Sequence, residues 1–346
     1  MIELSDEQRS LRDAVRTLLG KRSDSTAVRR AITEPGGYDP TLWRVLCEQI
    51  GVAALAVPER FGGVGADRRT VQIVLEELGR TLTPAPMLGS VIAAALLVAL
   101  DDADANARLL PRVAAGGVAA VAWADANGRW GDGAFEVADD QLTGAAHFVV
   151  DGDLAEILLV VADGAVYEVD PAVAGRTHTP TMDLTRRLAR VRLDAVPGRR
   201  IGPADARAAL GAALDDAVVA LVAEQVGAAG AALEITVGYT KVRHQFGRPI
   251  GSFQALKHRM ADLHVLLEAA RCAAYAAAEG SVHPAVAKAY CSEALQTIAG
   301  EMIQLHGGIA ITWEHDAHLY FKRAHGSAAL LGSPAVHRRR FASVIE

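Results

Sequence analysis

The sequence predicts a mainly α chain with a small antiparallel β-domain in its middle. Three observations carry that fold class. Half of the 346 residues are hydrophobic (51%), but aromatics are only 5%. The apolar content is mostly Ala, Val and Leu, which suits packed helices better than a β-sandwich. Helical periodicity holds to about residue 115 and returns from about residue 203, with short β-type runs between. A chain of this length is too long for one ordinary domain. The expected division is an N-terminal helical domain over 1–116, a β-domain over 117–202 and a C-terminal helical bundle over 203–346.

Each element has a local reason. Ser5-Asp-Glu-Gln8 is a capping box ahead of an amphipathic run with Leu11, Val15, Leu18 and Leu19. Further helical patterns cover about Pro40–Ile50, Arg69–Leu82, Met87–Leu100 and Ala105–Ala115. Leu55-Ala-Val-Pro-Glu-Arg-Phe-Gly-Gly-Val-Gly65 is a loop punctuated by Pro and Gly. The β-type runs are Ala119–Ala124, Ala134–Val137, Ala146–Val150, Ile157–Val161, Val166–Val169 and Leu188–Leu193, with Asp-Gly turns at 151–152 and 163–164. Gly116-Gly117 and Val196-Pro-Gly198 are the expected connections at its two ends. A long Ala-rich helix is expected from Ala204 to Lys241, a second from Phe253 to Ala278 and a third from Pro284 to His306. Gly307-Gly308 is a helix-end signal. Long helices with short connections make an antiparallel bundle.

Composition excludes several classes. Net charge is −6 with acids and bases interspersed, so no basic stripe neutralises nucleic-acid phosphates. The three cysteines, Cys47, Cys272 and Cys291, form no CxxC pair, and the odd count argues against a disulfide framework. Cys272 and Cys291 sit in helical patterns as expected buried small hydrophobes. The first residues, Met1-Ile-Glu-Leu-Ser-Asp-Glu7, lack a charged and an apolar signal region. The longest apolar stretch, near Val91–Leu100, is too short to span a bilayer. A cytoplasmic location and no membrane span are expected.

Two segments carry chemistry. Lys241-Val-Arg-His-Gln-Phe-Gly-Arg-Pro-Ile-Gly-Ser-Phe-Gln254 holds Arg243, Phe246 and Gln254. Arg243 suits bidentate contact to a pyrophosphate, Phe246 packing on an adenine or ribose face, and Gln254 neutral hydrogen bonding. Gln304-Leu-His-Gly-Gly308 offers Gln304 and accessible backbone N–H groups at Gly307 and Gly308. Glu314, His315, Asp316 and His318 lie close together, but their order fits no metal signature, so no metal is expected.

Over nearly its full length the chain resembles the acyl-CoA dehydrogenase family. The resemblance rests on Leu55–Gly65, on Leu75-Glu-Glu-Leu-Gly-Arg80, on Arg243-His-Gln-Phe-Gly247 with Gln254, on Gln304–Gly308, and on the following Trp313–Arg323 stretch. It implies FAD as cofactor, with Arg243, Phe246, Gln254, Gln304, Gly307 and Gly308 as cofactor residues. It also implies a homo- or hetero-tetramer in which the adenosine end of each FAD contacts a neighbouring subunit. The implied reaction is α,β-dehydrogenation of an acyl-CoA thioester, with electrons passed to an electron-transfer flavoprotein. In the family a glutamate removes the α-proton.

The sequence departs from the family at that glutamate. Where it commonly precedes a Gly-Ser pair, this chain has Leu331 before Gly332-Ser333. The alternative family position, on the first long C-terminal helix, falls near Ala217. Asp216 is adjacent but turned by about 100° around the helix, and Glu224 is on nearly the same face but about 10 Å along the axis. No catalytic residue is assigned. The family's stretch beside the flavin ring is replaced by Trp123-Ala-Asp-Ala-Asn-Gly-Arg-Trp130, where Trp123 is either a flavin neighbour or a core residue. Three readings follow: a dehydrogenase with an unusual base, a non-catalytic partner in a heteromeric dehydrogenase that supplies the adenosine half-site, and, less favoured, a flavin monooxygenase or oxidase on the same fold.

Overall fold

The computed structural model describes residues 3–345; Met1, Ile2 and Glu346, and with them the start of the segment read for a signal pattern, lie outside the described residues. The first helices are α1 (Asp6–Arg22), α2 (Ser25–Ala31), α3 (Pro40–Val45), α4 (Arg68–Arg80), α5 (Met87–Leu100) and α6 (Ala103–Ala114). The capping box forms: Ser5 Oγ accepts from Gln8 N while the Gln8 side chain accepts from Ser5 N. The helix expected over 40–50 turns into a π turn at Leu46–Ile50. The 55–65 loop folds back on itself, with Gly65 N donating to Val57 O and Ala66 N to Leu55 O. A Cβ on Gly63 would sit 1.9 Å from Val57 O, so only glycine closes that loop.

The middle strands are β1 (Ala119–Ala122), β2 (Phe135–Ala138), β3 (Gln141–Val150), β4 (Ile157–Ala162), β5 (Ala165–Val169), β6 (Gly175–His178), β7 (Leu188–Pro197) and β8 (Arg199–Ile201). They form one sheet in the order β6-β7-β3-β2-β4-β5-β8, with β1 on β4. The expected all-antiparallel sheet is therefore corrected to a mixed one, because β1 and β2 both run parallel to β4. Val196-Pro-Gly198 is not an exit from the sheet. It joins β7 to β8, and the chain leaves at Gly202, whose N–H is held by Asp102 at 2.9 Å.

The last part comprises α7 (Arg207–Val242), the two-residue strands β9 (His244–Gln245) and β10 (Arg248–Pro249), then α8 (Gln254–Ala278), α9 (Pro284–His306), α10 (Ala317–Ala329) and α11 (Pro334–Ile345). Helix α7 is long and apolar enough to cross a membrane (mean hydropathy 1.6 over 18 residues), a stretch the sequence reading passed over in favour of Val91–Leu100. That window is 89% buried inside the fold. It is apolar on every side because it is packed on every side, against α4, α5, α8 and α9. Its tightest contact is with α4. A Cβ on Gly227 would lie 1.9 Å from Glu76 O, and one on Gly79 would lie 2.2 Å from Glu224 O. The two backbones touch with no side chain between them.

Candidate functional site

The six predicted binding residues occupy one exposed end of the bundle. Tyr239, near the end of α7, stacks on His306 at the end of α9 with ring centroids 4.3 Å apart. The Tyr239 hydroxyl donates to His306 O at 3.3 Å, and His306 Nδ1 lies 2.7 Å from Met302 O. This stack joins the two helix ends and so brings the Arg243 and Gln304 segments to the same end. Arg243 closes α7, and its N–H donates to Tyr239 O. Phe246 and Gly247 form the turn between β9 and β10, both with positive φ (54° and 76°), the geometry of a tight hairpin. Phe246 is 90% exposed, and Val242, Ile311 and Trp313 beside these ends are exposed too. Gln254 is the first residue of α8 and is exposed. Gly307 ends α9 at φ 65°, ψ −147°. Nothing lies within 4 Å of a Cβ built on Gly247, Gly307 or Gly308. The backbone here can be approached closely by a ligand or another chain, although the Gly307 N–H is already given to Ile303 O. An Arg, a Gln and such open backbone fit a pyrophosphate–ribose group.

The inner cleft, between the sheet, α7 and α10, is different. It is filled by a buried charged cluster that the sequence reading missed. Arg186 pairs with Glu224. Arg323 pairs with Asp183 at 3.0 Å and Glu224 at 3.5 Å, and donates to Thr185 O and Oγ1. Asp183, Glu224 and Arg323 are each under 8% exposed. Burial pushes the nearby Asp151 carboxyl up to about 7. Free space among these groups is only about 20 Å³. Arg323 shares a helix face with Leu319, Tyr320 and Ser327, a periodicity that marks it as inward-facing.

The other candidates are placed as follows. Trp123 is a core residue, donating from Nε1 to Gly131 O at 2.8 Å and packing edge-on against Trp130. The gap between that stretch and α5 measures about 10 Å³, room for one water. Ala217 is fully buried, and Leu331 is buried in the core at φ 59°, its carbonyl 2.7 Å from His337 Nε2. Asp216 pairs with Arg68 at 2.5 Å and lines an apolar cavity of about 200 Å³ among α4, α5 and α7. Burial raises the Asp216 pKa, with Arg68 opposing that shift. Among the described residues no group of three His, Cys, Asp or Glu is placed to hold a metal. Asp316 pairs with Arg29 instead. Cys291 is buried as expected, but Cys272 is exposed, because its position on α8 faces away from α9.

The matched families agree with this architecture. Residues 5–117 match the acyl-CoA dehydrogenase N-terminal domain and residues 207–345 the acyl-CoA dehydrogenase C-terminal domain. The chain is 44% identical to acyl-CoA dehydrogenase IpdE2 of Mycobacterium tuberculosis, over 98% of each chain. Among solved structures it resembles the ChsE4-ChsE5 complex from Mycobacterium tuberculosis (TM-score 0.89, 26% identity, 99% of this chain and 98% of that one). It also resembles a variant of the Tcur3481-Tcur3483 steroid ACAD (TM-score 0.87, 29% identity, 98% of each chain). The family implies FAD as the cofactor. This chain belongs to the acyl-CoA dehydrogenase family, oxidoreductases that act on acyl-CoA.

Proposed function

We propose that the chain works as one subunit of a heteromeric, FAD-dependent acyl-CoA dehydrogenase. Arg243, Phe246, Gln254, Gln304, Gly307 and Gly308 take the adenosine end of an FAD whose ring lies in a related partner chain. That partner supplies the base, and the assembly is a tetramer. Electrons leave to an electron-transfer flavoprotein, and the setting is the cytoplasm. When bound, FAD supplies the hydride acceptor. This chain's part is to hold the dinucleotide's outer half and to close one wall of the site.

One observation carries the reading: the outer half of the site is open and the inner half is filled. The Trp123–Trp130 stretch, which stands where the family meets the flavin ring, has about 10 Å³ beside it. The cleft behind it holds four buried charges. Opening it for a ring would unpair those buried charges, at several kcal/mol each. Neither Leu331 nor Ala217 can take a proton. The exposed Val242, Phe246, Ile311 and Trp313 give the open end the apolar character of a surface that another chain covers. The likeness to the ChsE4-ChsE5 complex favours the same reading.

A second reading has its own observation. Asp216 has a raised pKa and lines an apolar cavity, so a chain that oxidises acyl-CoA alone would take its base there.

Purification with and without a co-expressed related chain separates the two. The heteromer reading expects a colourless chain alone and a yellow complex that bleaches anaerobically on adding an acyl-CoA. Arg243→Ala should lower FAD occupancy of that complex. A chain that is yellow alone, bleaches with acyl-CoA and loses bleaching in Asp216→Asn would establish the second reading instead.

A further inference from the structure

Three imidazoles meet at the end of the bundle where α7 and α9 stop and α10 starts. His306, the last residue of α9, stacks on Tyr239 of α7 and lies 4.5 Å from His315, ring centroid to ring centroid. His315 precedes α10 and is 6.3 Å from the Tyr239 ring. His318, in the first turn of α10, packs against Trp313 at 4.5 Å with the rings steeply inclined. Each ring is built for the neutral form. His306 Nδ1 is 2.7 Å from Met302 O. A carbonyl only accepts, so Nδ1 carries the proton and Nε2 is a buried lone pair without a partner. A second proton on that ring would be a buried donor with no acceptor. His315 Nδ1 accepts the Ala317 N–H at 3.1 Å, at the start of α10. A proton there would set donor against donor and break that contact. His318 is buried and neither of its nitrogens has a partner, so a second proton adds a second unpaired donor. The surrounding charges do not invite protons either. Arg29 of α2 and Lys322 of α10 act on the cluster. Among the described residues Asp316 is the acid that faces it, and Asp316 is already paired with Arg29 at 2.6 Å. Glu314 beside it is exposed.

We propose that His306, His315 and His318 work as a proton-operated latch. Neutral, they hold the ends of α7, α9 and α10 together. Charged, they part those ends, and with them the Arg243 and Gln304 segments. A proton on one ring puts a charge against its neighbours in a poorly hydrated space, and only the entry of water relieves it. The titration directions agree. Burial, the largest cause, lowers the pKa of all three rings. His315 adds to that at His306, Arg29 at His315, and Lys322 with Arg29 at His318. Met302 O opposes it at His306, and Asp316 at the other two. Folded-state pKa values below the ordinary one mean that the open end binds protons which the closed end refuses. The latch is therefore fully held above about pH 6.5 and loosens as pH falls below it. The inference rests on the dinucleotide reading above only for what this end holds; the latch itself belongs to the chain.

The test is hydrogen–deuterium exchange of the full chain, in the assembly in which it purifies, at pH 7.5, 6.5 and 5.5. Rates are corrected for the intrinsic pH dependence of exchange and read on peptides covering 236–246, 300–306 and 315–322, with 87–100 in α5 as the internal standard. Protection of the three end peptides is expected to fall about tenfold or more between pH 7.5 and 5.5, the size of one or more unpaired buried donors, while α5 changes little. A variant combining His306→Asn, His315→Asn and His318→Phe cannot take up these protons and should keep the same protection at all three pH values. The three single variants cover the case in which the combined one does not fold, and each should lessen the loss in acid. Unchanged end-peptide protection in the parent overturns the latch, as does an equal loss in α5, which would mark general acid unfolding. A combined variant that still opens in acid, or three single variants that all match the parent, overturns the assignment to these rings. The readout is the chain's own backbone, so each of these failures leaves the dinucleotide reading standing.

Discussion

Arg323→Met tests whether the filled cleft is held by charge. The parent side chain contacts Asp183 at 3.0 Å and Glu224 at 3.5 Å, and donates to Thr185 Oγ1 and O at 2.7 and 2.8 Å. Burial holds the Arg323 pKa below its ordinary value, with Asp183 opposing that shift. With methionine, Glu224 keeps Arg186, but Asp183 Oδ2 loses its 3.0 Å pair and is left with the more distant charge of Arg186. Breaking a buried pair from one side costs about 3–5 kcal/mol. Glu224 is only half deprived, so we expect about 4 kcal/mol. With a slope of about 3 kcal/mol per molar urea, the midpoint falls by a little over 1 M. The assay is urea unfolding followed by far-UV circular dichroism, read at the first transition. Adding Asp183→Asn restores neutrality, and the double variant should recover about 1–3 kcal/mol. A midpoint for Arg323→Met within 0.2 M of the parent would refute the argument. So would a double variant as unstable as the sum of the two singles.

Two further outcomes concern stability. Asp151 is pushed up to about 7 from 3.8, chiefly by burial. The folded state therefore keeps a proton that the unfolded chain releases near pH 4, and stability falls as pH rises from about 4 to about 7. Asp151→Asn lacks that slope, so the variant's advantage in unfolding free energy, measured by urea titration, should be absent near pH 4 and grow to at most about 4 kcal/mol by pH 7; a constant difference across that range would contradict it. Gly227→Ala drives a methyl into Glu76 O at 1.9 Å and should cost about 3 kcal/mol or more. Gly211→Ala on the same helix meets nothing within 4 Å and should be neutral or slightly stabilising. Equal melting temperatures for the two alanine variants would show that α4 and α7 are free to part.

The helices were legible because their signals are local. Helix α5 matches the expected Met87–Leu100 at both ends, and α7, α8 and α9 match to within a few residues. Capping at Ser5 and the stop at Gly307 lie in a few neighbouring residues. The sheet was less legible. Strands β6 and β8 are short and largely polar or charged, Gly-Arg-Thr-His and Arg-Arg-Ile, so they carry no alternation to find. The parallel pairing of β1 with β4 joins residues far apart in sequence, which no window of periodicity reports. The open half of the site was visible as two motifs. The filled half was not, because Asp183, Arg186, Glu224 and Arg323 come from three separate segments, and Glu224 reads in the sequence as a displaced base rather than as the centre of an ion-pair cluster.

The backbone contact between α4 and α7 limits how this protein can change. Gly79 and Gly227 bring the helices together with no side chain between them. Two walls of the apolar cavity therefore form a fixed corner. Shortening or lengthening a side chain on either helix alters the lining but cannot move the corner without breaking the contact. The third wall is α5, which presents Val91, Ala95, Val98 and Ala99. Changes in ligand size across relatives, or in a laboratory library, should accumulate on α5 while both glycines stay fixed. A library that randomises Val91, Ala95, Val98 and Ala99 would sample new cavity shapes at low risk to folding. One that randomises the glycines would return mostly unfolded chains.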